Sequence, residues 1–193
     1  MNLDENINYV VSGIERSGTS MMMQILSAGG LPTAFNESRK ADDNNPKGYY
    51  ELEGGKIINK LMEKTFPIEQ YKGRFIKITS FGLNFLPNSC YKIIYMERNI
   101  DEVMDSMEKM AKINDTNRKE TKESFTRLNH KVKHDIQNRK DVDVLFINYN
   151  KIILDPKEDI KRICDFLSLP NTTIDKMMNA IDKRLYRQRR KNL

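Results

Sequence analysis

The chain has 193 residues, 38% of them apolar and 31% charged, with 33 Lys+Arg against 27 Asp+Glu for a net charge of +6. That length supports one domain with a substantial core and is short for two, and no apolar run approaches the ~18 residues of a membrane span. The basic excess favours an anionic ligand without naming it.

The first ten residues show no basic region ahead of an apolar core, so no secretory signal is expected. Cys90 and Cys164 lack metal-ligand spacing and have apolar neighbours, which predicts reduced, buried thiols in a cytoplasmic protein. Ile7, Tyr9, Val10 and Val11 predict a buried strand over residues 7–12. It runs into Gly13-Ile14-Glu15-Arg16-Ser17-Gly18-Thr19-Ser20, after which Met22, Ile25 and Leu26 follow at helical spacing. Strand, glycine-bounded turn and helix together aim backbone N–H groups at a phosphate, although the same pattern also serves plain strand–helix packing.

The two glycines and the Thr-Ser pair have the spacing of a Walker A loop, but Thr19 stands where its lysine belongs and the cation sits inside the loop as Arg16. Without that lysine a loop is poorly equipped to hold a nucleoside triphosphate with Mg²⁺ for phosphoryl transfer. It is still suited to a 5′-phosphate and what is attached to it.

Gly29-Gly30-Leu31-Pro32 stops the first helix, and residues 33–50 read as a long loop rich in Asn, Asp, Pro and Gly. A helix over residues 51–63 is expected from Ile57, Ile58, Leu61 and Met62. Residues 75–79 predict a strand with Lys77 at its middle, a costly place unless the ammonium meets an anion or snorkels out at the strand end. Residues 91–96 predict a buried parallel strand ending at Glu97-Arg98-Asn99. Asn99 and Glu102 form a capping box for a helix carrying Val103, Met104 and Met107. Ligands of open α/β sheets bind beyond the carboxyl ends of strands, so Arg98, and Ser106 two turns into the helix, are placed to meet a phosphate.

Residues 112–140 are polar and mostly helical in pattern. His130 and His134 share a face there, but Lys131 and Lys133 beside them disfavour a metal, and none is expected. A fourth strand is expected at residues 142–147, followed by Tyr149 and by a helix starting at Asp155-Pro156 with proline at its first position. A short helix then carries Ile174, Met177, Met178 and Ile181, and residues 183–193 form a basic tail on a single domain spanning residues 1–193.

Taken in series, Gly13 to Ser20, Asn45-Pro46-Lys47-Gly48-Tyr49-Tyr50-Glu51, Lys77, Arg98 with Ser106, and Tyr149 ahead of Asp155-Pro156 resemble the sulfotransferases that use 3′-phosphoadenosine 5′-phosphosulfate (PAPS), small bacterial members included. The resemblance implies a P-loop NTPase-like α/β fold, a parallel sheet of four or five strands with helices on both faces. It implies that Gly13, Arg16, Ser17, Gly18, Thr19 and Ser20 hold the 5′-phosphosulfate, and that Arg98 and Ser106 hold the 3′-phosphate. Lys77 and Arg16 would then stabilise the departing oxygen. Tyr149 would lie near the nucleotide, or else be a core tyrosine with a satisfied hydroxyl. PAPS is the implied co-substrate and PAP the product, with a small-molecule or glycan acceptor; from the residues themselves, the basic C-terminus reads as a solvated end more often than a nucleic-acid site, and no membrane partner is expected. For the base, Glu37 comes first, since its distance after Arg16 matches the protein-tyrosine branch; Glu51 is second, and Thr79 occupies the position of the cytosolic branch's histidine. A P-loop nucleotide kinase and a non-catalytic nucleotide or RNA binder are the alternatives.

Overall fold

The structure, a computed structural model, describes residues 2–36 and 39–187. Four strands, β1 (Asn8–Gly13), β2 (Phe75–Lys77), β3 (Tyr91–Glu97) and β4 (Val142–Asn148), pair in the order β2-β1-β3-β4. All three pairings are parallel, with Val10 opposite both Ile76 and Ile93 and Met96 opposite Ile147. A parallel sheet must be covered on both faces, which is why its strands are nearly continuously apolar. Tyr9 and Val11 point to one face and Val10 to the other.

The first face carries α1 (Thr19–Ala28), whose Met22, Met23, Ile25 and Leu26 are fully buried beside α5 (Tyr149–Leu154), α6 (Pro156–Leu167) and α7 (Ile174–Asn179). The opposite face packs α2 (Ile57–Met62) and α4 (Arg118–Asn138) over Val10, Ile76, Ile93 and Tyr95. The result is a three-layer α/β fold. α3 (Ile100–Ala111) leaves the carboxyl end of β3 and contacts α4. Because the order reverses direction between β1 and β3, the bends after these two strands open the crevice in which α/β sheets bind ligands. Among the described residues no helix is long and apolar enough to cross a membrane.

Several local expectations change. The helix expected over residues 51–63 is a 3₁₀ turn at Glu53–Gly55 followed by α2, because Gly54 and Gly55 take φ of 64° and 86°. The second strand ends at Lys77, and Thr79 instead precedes a 3₁₀ turn over Ser80–Phe85. Asn99 caps α3, accepting from the N–H groups of Asp101 and Glu102, but the Asn99 N–H goes to Asn150 Oδ1 and the Glu102 side chain turns elsewhere. Asp155 precedes Pro156 as expected but its side chain makes no capping bond, and α5, between β4 and α6, was not foreseen. Cys164 is buried; Cys90 is exposed, since it sits in the turn before β3 rather than inside the strand.

Candidate functional site

An open cleft of about 320 Å³ lies over the bend between β1 and α1. The bend is tight. A Cβ on Gly13 would stand 2.4 Å from Ser17 Oγ and 2.6 Å from the Met96 carbonyl oxygen, and one on Gly18 would stand 2.3 Å from the Tyr149 ring. Gly18, at φ 101°, occupies the position before α1 with no side-chain cap, so the first-turn N–H groups of Thr19, Ser20 and Met21 have no partner within the helix. An isolated helix of 10 residues is marginal, and burial of its apolar face rather than capping holds α1 in place. A helix N-terminus without a side-chain cap is suited to an anion. The Ser17 N–H, by contrast, donates to the Ile14 carbonyl at 3.2 Å, and its fully buried hydroxyl has no hydrogen-bond partner among the described residues. Gly13 and Ser17 thus build the floor of the bend, while Arg16, Gly18, Thr19 and Ser20 line the cleft.

Arg16 itself adopts φ 64°, a left-handed conformation uncommon outside glycine, and its side chain turns toward α3. Its Nε donates to Ser106 Oγ at 2.9 Å and its Nη2 to the Asn44 carbonyl at 3.3 Å. Arg98, from the end of β3, donates through Nη1 to the Arg16 carbonyl at 3.0 Å and through Nε to Glu102 at 3.2 Å, with its guanidinium 4.5 Å above the Tyr149 ring. Burial lowers the Arg16 pKa, and the neighbouring Arg98 and Arg39 add to the effect. Arg16 and Arg98 both line the cleft, and their like charges there favour an anion.

Lys77 enters from β2. Its ammonium donates to the Tyr49 carbonyl (2.5 Å), Glu51 Oε1 (2.9 Å) and Ser20 Oγ (3.1 Å), a set that matches its three donors. The lysine is therefore buried, reaching inward over the loop and not out to water. Burial lowers its pKa and the Glu51 carboxylate opposes that shift. Tyr50, at φ 54°, makes the bend that brings the Tyr49 carbonyl and the Glu51 carboxylate to one ammonium. Glu51 also pairs with Arg39 at 3.3 Å, whose guanidinium lies 3.5 Å over the Tyr49 ring, and the Tyr49 hydroxyl donates to Asp42 at 2.9 Å.

Of the residues singled out from sequence, Arg16, Gly18, Thr19, Ser20, Glu51, Lys77, Arg98, Ser106 and Tyr149 meet on this one cleft. Glu37 lies outside the described residues. Tyr149 opens α5, with its ring filling the space that glycine leaves at position 18. Sequence reasoning missed Arg39, Lys109, Asp182 and Arg187, which also line the cleft; Arg39, Asp182 and Arg187 sit in aperiodic or generically basic stretches, and Lys109 reads as an ordinary polar position of the α3 helix. Among the described residues no cluster of His, Cys, Asp and Glu has the makings of a metal site.

Residues 7–193 match the family model described as the sulfotransferase domain. Among curated proteins no sequence matches. Solved structures similar to the chain include the sulfotransferase domain of the olefin synthase of Synechococcus PCC 7002, at 18% identity and a TM-score of 0.54, covering 93% of this chain and 86% of that one. A mouse sulfotransferase, SULT7A1, complexed with PAP is 18% identical with a TM-score of 0.56, covering 100% of this chain and 69% of that one. A retinol dehydratase in complex with retinol and PAP is 17% identical with a TM-score of 0.54, covering 93% and 65% of the two chains.

Proposed function

The chain belongs to the sulfotransferase domain family, and from that premise we propose that it works as one catalytic unit moving a sulfuryl group from PAPS to a hydroxyl or amine on a small-molecule or glycan acceptor. One observation carries the reading: Lys77, Arg16, Arg98 and Ser106 line one cleft whose loop lacks the triphosphate lysine, and the reading takes Lys77 with Arg16 as a first group and Arg98 with Ser106 as a second, the two joined by the bond from Arg16 Nε to Ser106 Oγ. The first group, with the first-turn N–H groups of α1, suits a 5′-phosphosulfate. The second suits the 3′-phosphate. The closeness of the bend supports the fit, since any side chain at position 18 would fill the cradle against Tyr149.

In this reading the acceptor oxygen or nitrogen attacks sulfur in line with the bond to the 5′-phosphate. That S–O bond breaks and its electron pair stays on the phosphate oxygen, where the Lys77 ammonium and the Arg16 guanidinium compensate the charge. The acceptor's proton passes to a carboxylate. Glu51 is the described carboxylate beside Lys77 on the cleft, and we assign it the role of base. Its contact with Lys77 exchanges for contact with the reacting groups when both substrates are bound. The two free cysteines fit a reducing compartment, and the cytoplasm is the proposed location.

Calorimetric titration with PAP and with 5′-AMP tests the assignment. Charge-assisted hydrogen bonds from Arg98 and Ser106 to the 3′-phosphate should make PAP bind about 10- to 100-fold more tightly. Equal affinities would remove the 3′-phosphate site and the PAPS reading with it.

A further inference from the structure

Behind Arg98 lies a polar cluster that the binding of nucleotide does not by itself require. The Glu102 carboxylate is fully buried. Its Oε2 accepts from Arg98 Nε at 3.2 Å and from Asn150 Nδ2 at 2.9 Å, and its Oε1 accepts from the Tyr186 hydroxyl at 2.9 Å. A buried carboxylate is costly unless its oxygens are hydrogen-bonded, so the Tyr186 hydroxyl supports the same group that orients the arginine. The Tyr186 ring, itself buried, meets the Tyr149 ring edge-on at 5.5 Å and 90°, and Arg98 lies 4.5 Å from the Tyr149 centroid and 5.9 Å from that of Tyr186. The guanidinium is thus set from below by a carboxylate and along its faces by two tyrosines.

We propose that Tyr186, acting through Glu102, is a positioning residue for Arg98 and so sets the preference for a 3′-phosphorylated nucleotide. The proposal rests on the sulfotransferase reading. Tyr186 belongs to the stretch whose sequence reads as a basic tail, yet the segment is fastened to the loop beside the cleft: Arg187 donates to the Asp43 carbonyl, and just ahead of the stretch Lys47 Nζ donates to the Ala180 carbonyl at 3.2 Å. An arginine left to rotate must be immobilised when phosphate arrives, whereas one already held loses less entropy on binding. The hydroxyl of Tyr186 therefore acts on the 3′-phosphate without touching it.

The test is Tyr186→Phe, which keeps the ring and removes one hydroxyl, in the wild-type and in the Arg98→Ala background, with PAP and 5′-AMP affinities measured by calorimetry. In the wild-type background PAP affinity should fall about tenfold while 5′-AMP affinity stays constant; in the Arg98→Ala background the same change should alter neither. An unchanged ratio, an equal loss for both ligands, or the same loss of PAP affinity in both backgrounds would overturn the positioning role and leave the sulfotransferase reading intact. Equal affinity of the wild type for PAP and 5′-AMP would instead overturn that reading, and the positioning role would fall with it.

Discussion

Lys77 Nζ lies 2.9 Å from Glu51 Oε1, and the two side chains are only 5% and 13% exposed. Burial is the leading influence on the lysine and lowers its pKa below the ordinary 10.5, while Glu51 works in the other direction. The ammonium compensates the departing oxygen only while protonated, so turnover should fall as pH rises through this depressed pKa. Glu51→Gln removes the opposing charge. The lysine should then titrate lower, and in the residual activity of Glu51→Gln the alkaline limb of kcat should move to lower pH. A limb at the same pH in both proteins would separate Lys77 from the chemistry. Stability runs the opposite way: between the folded pKa and 10.5 the unfolded chain holds more protons, so stability gains with rising pH across that window.

Lys77→Ala should lower kcat by about 10²- to 10³-fold, the usual cost of removing one group that stabilises developing oxyanion charge. PAP affinity should change far less, because the N–H groups of α1 and Arg98 remain. A single-turnover assay at saturating PAPS, alongside PAP titration, measures both. If kcat is retained and only PAP binding weakens, Lys77 is a ground-state ligand and the leaving-group role belongs to Arg16.

Gly18→Ala places a methyl 2.3 Å from the Tyr149 ring at a φ of 101°. The strain should cost about 1–3 kcal/mol, read from denaturant melts. Because the same residue directly precedes α1, the variant should also lose PAP and 5′-AMP affinity together, unlike changes at Arg98 or Ser106. Wild-type affinity for both nucleotides in a folded Gly18→Ala protein would show that the bend does not carry the 5′-phosphate.

The apolar run of β1, the glycines of the bend and the eight-residue step from Arg98 to Ser106 are local patterns, and the sequence displays them directly. The sheet, its parallel strands and the helices on both faces were legible for the same reason. What brings Glu51 to Lys77 is not local. It depends on a left-handed Tyr50 and on a loop crossing the carboxyl edge of the sheet, and neither has a periodic signature. Tyr186 was hidden more thoroughly, because its neighbours Lys183, Arg184 and Arg187 give the stretch the composition of a solvated end while the ring itself is buried against Tyr149. Cys90 misled in the opposite way. Its apolar neighbours belong to the strand that follows, but its own position is the exposed turn.

Far from the cleft, Asp141 fixes the start of β4 to the start of β3. Its carboxylate takes both arms of the Arg139 guanidinium, at 2.9 Å and 2.6 Å, and accepts the Ser89 N–H at 3.2 Å, while its carbonyl accepts the Tyr91 N–H at 2.9 Å. The bonds from Arg139 lead in lowering its pKa from 3.8 to about 2. The folded pKa is depressed, so the stabilisation is complete above 3.8 and is lost as pH falls through about 2. With the side chain 31% exposed, solvent screening trims the contribution to about 1 kcal/mol. Asp141→Asn should therefore be less stable than the wild type by about that amount near neutral pH, and urea melts should show the gap closing between pH 3.8 and about 2. A gap of constant size down to the lower pH would mean that the pair contributes through packing and not through charge.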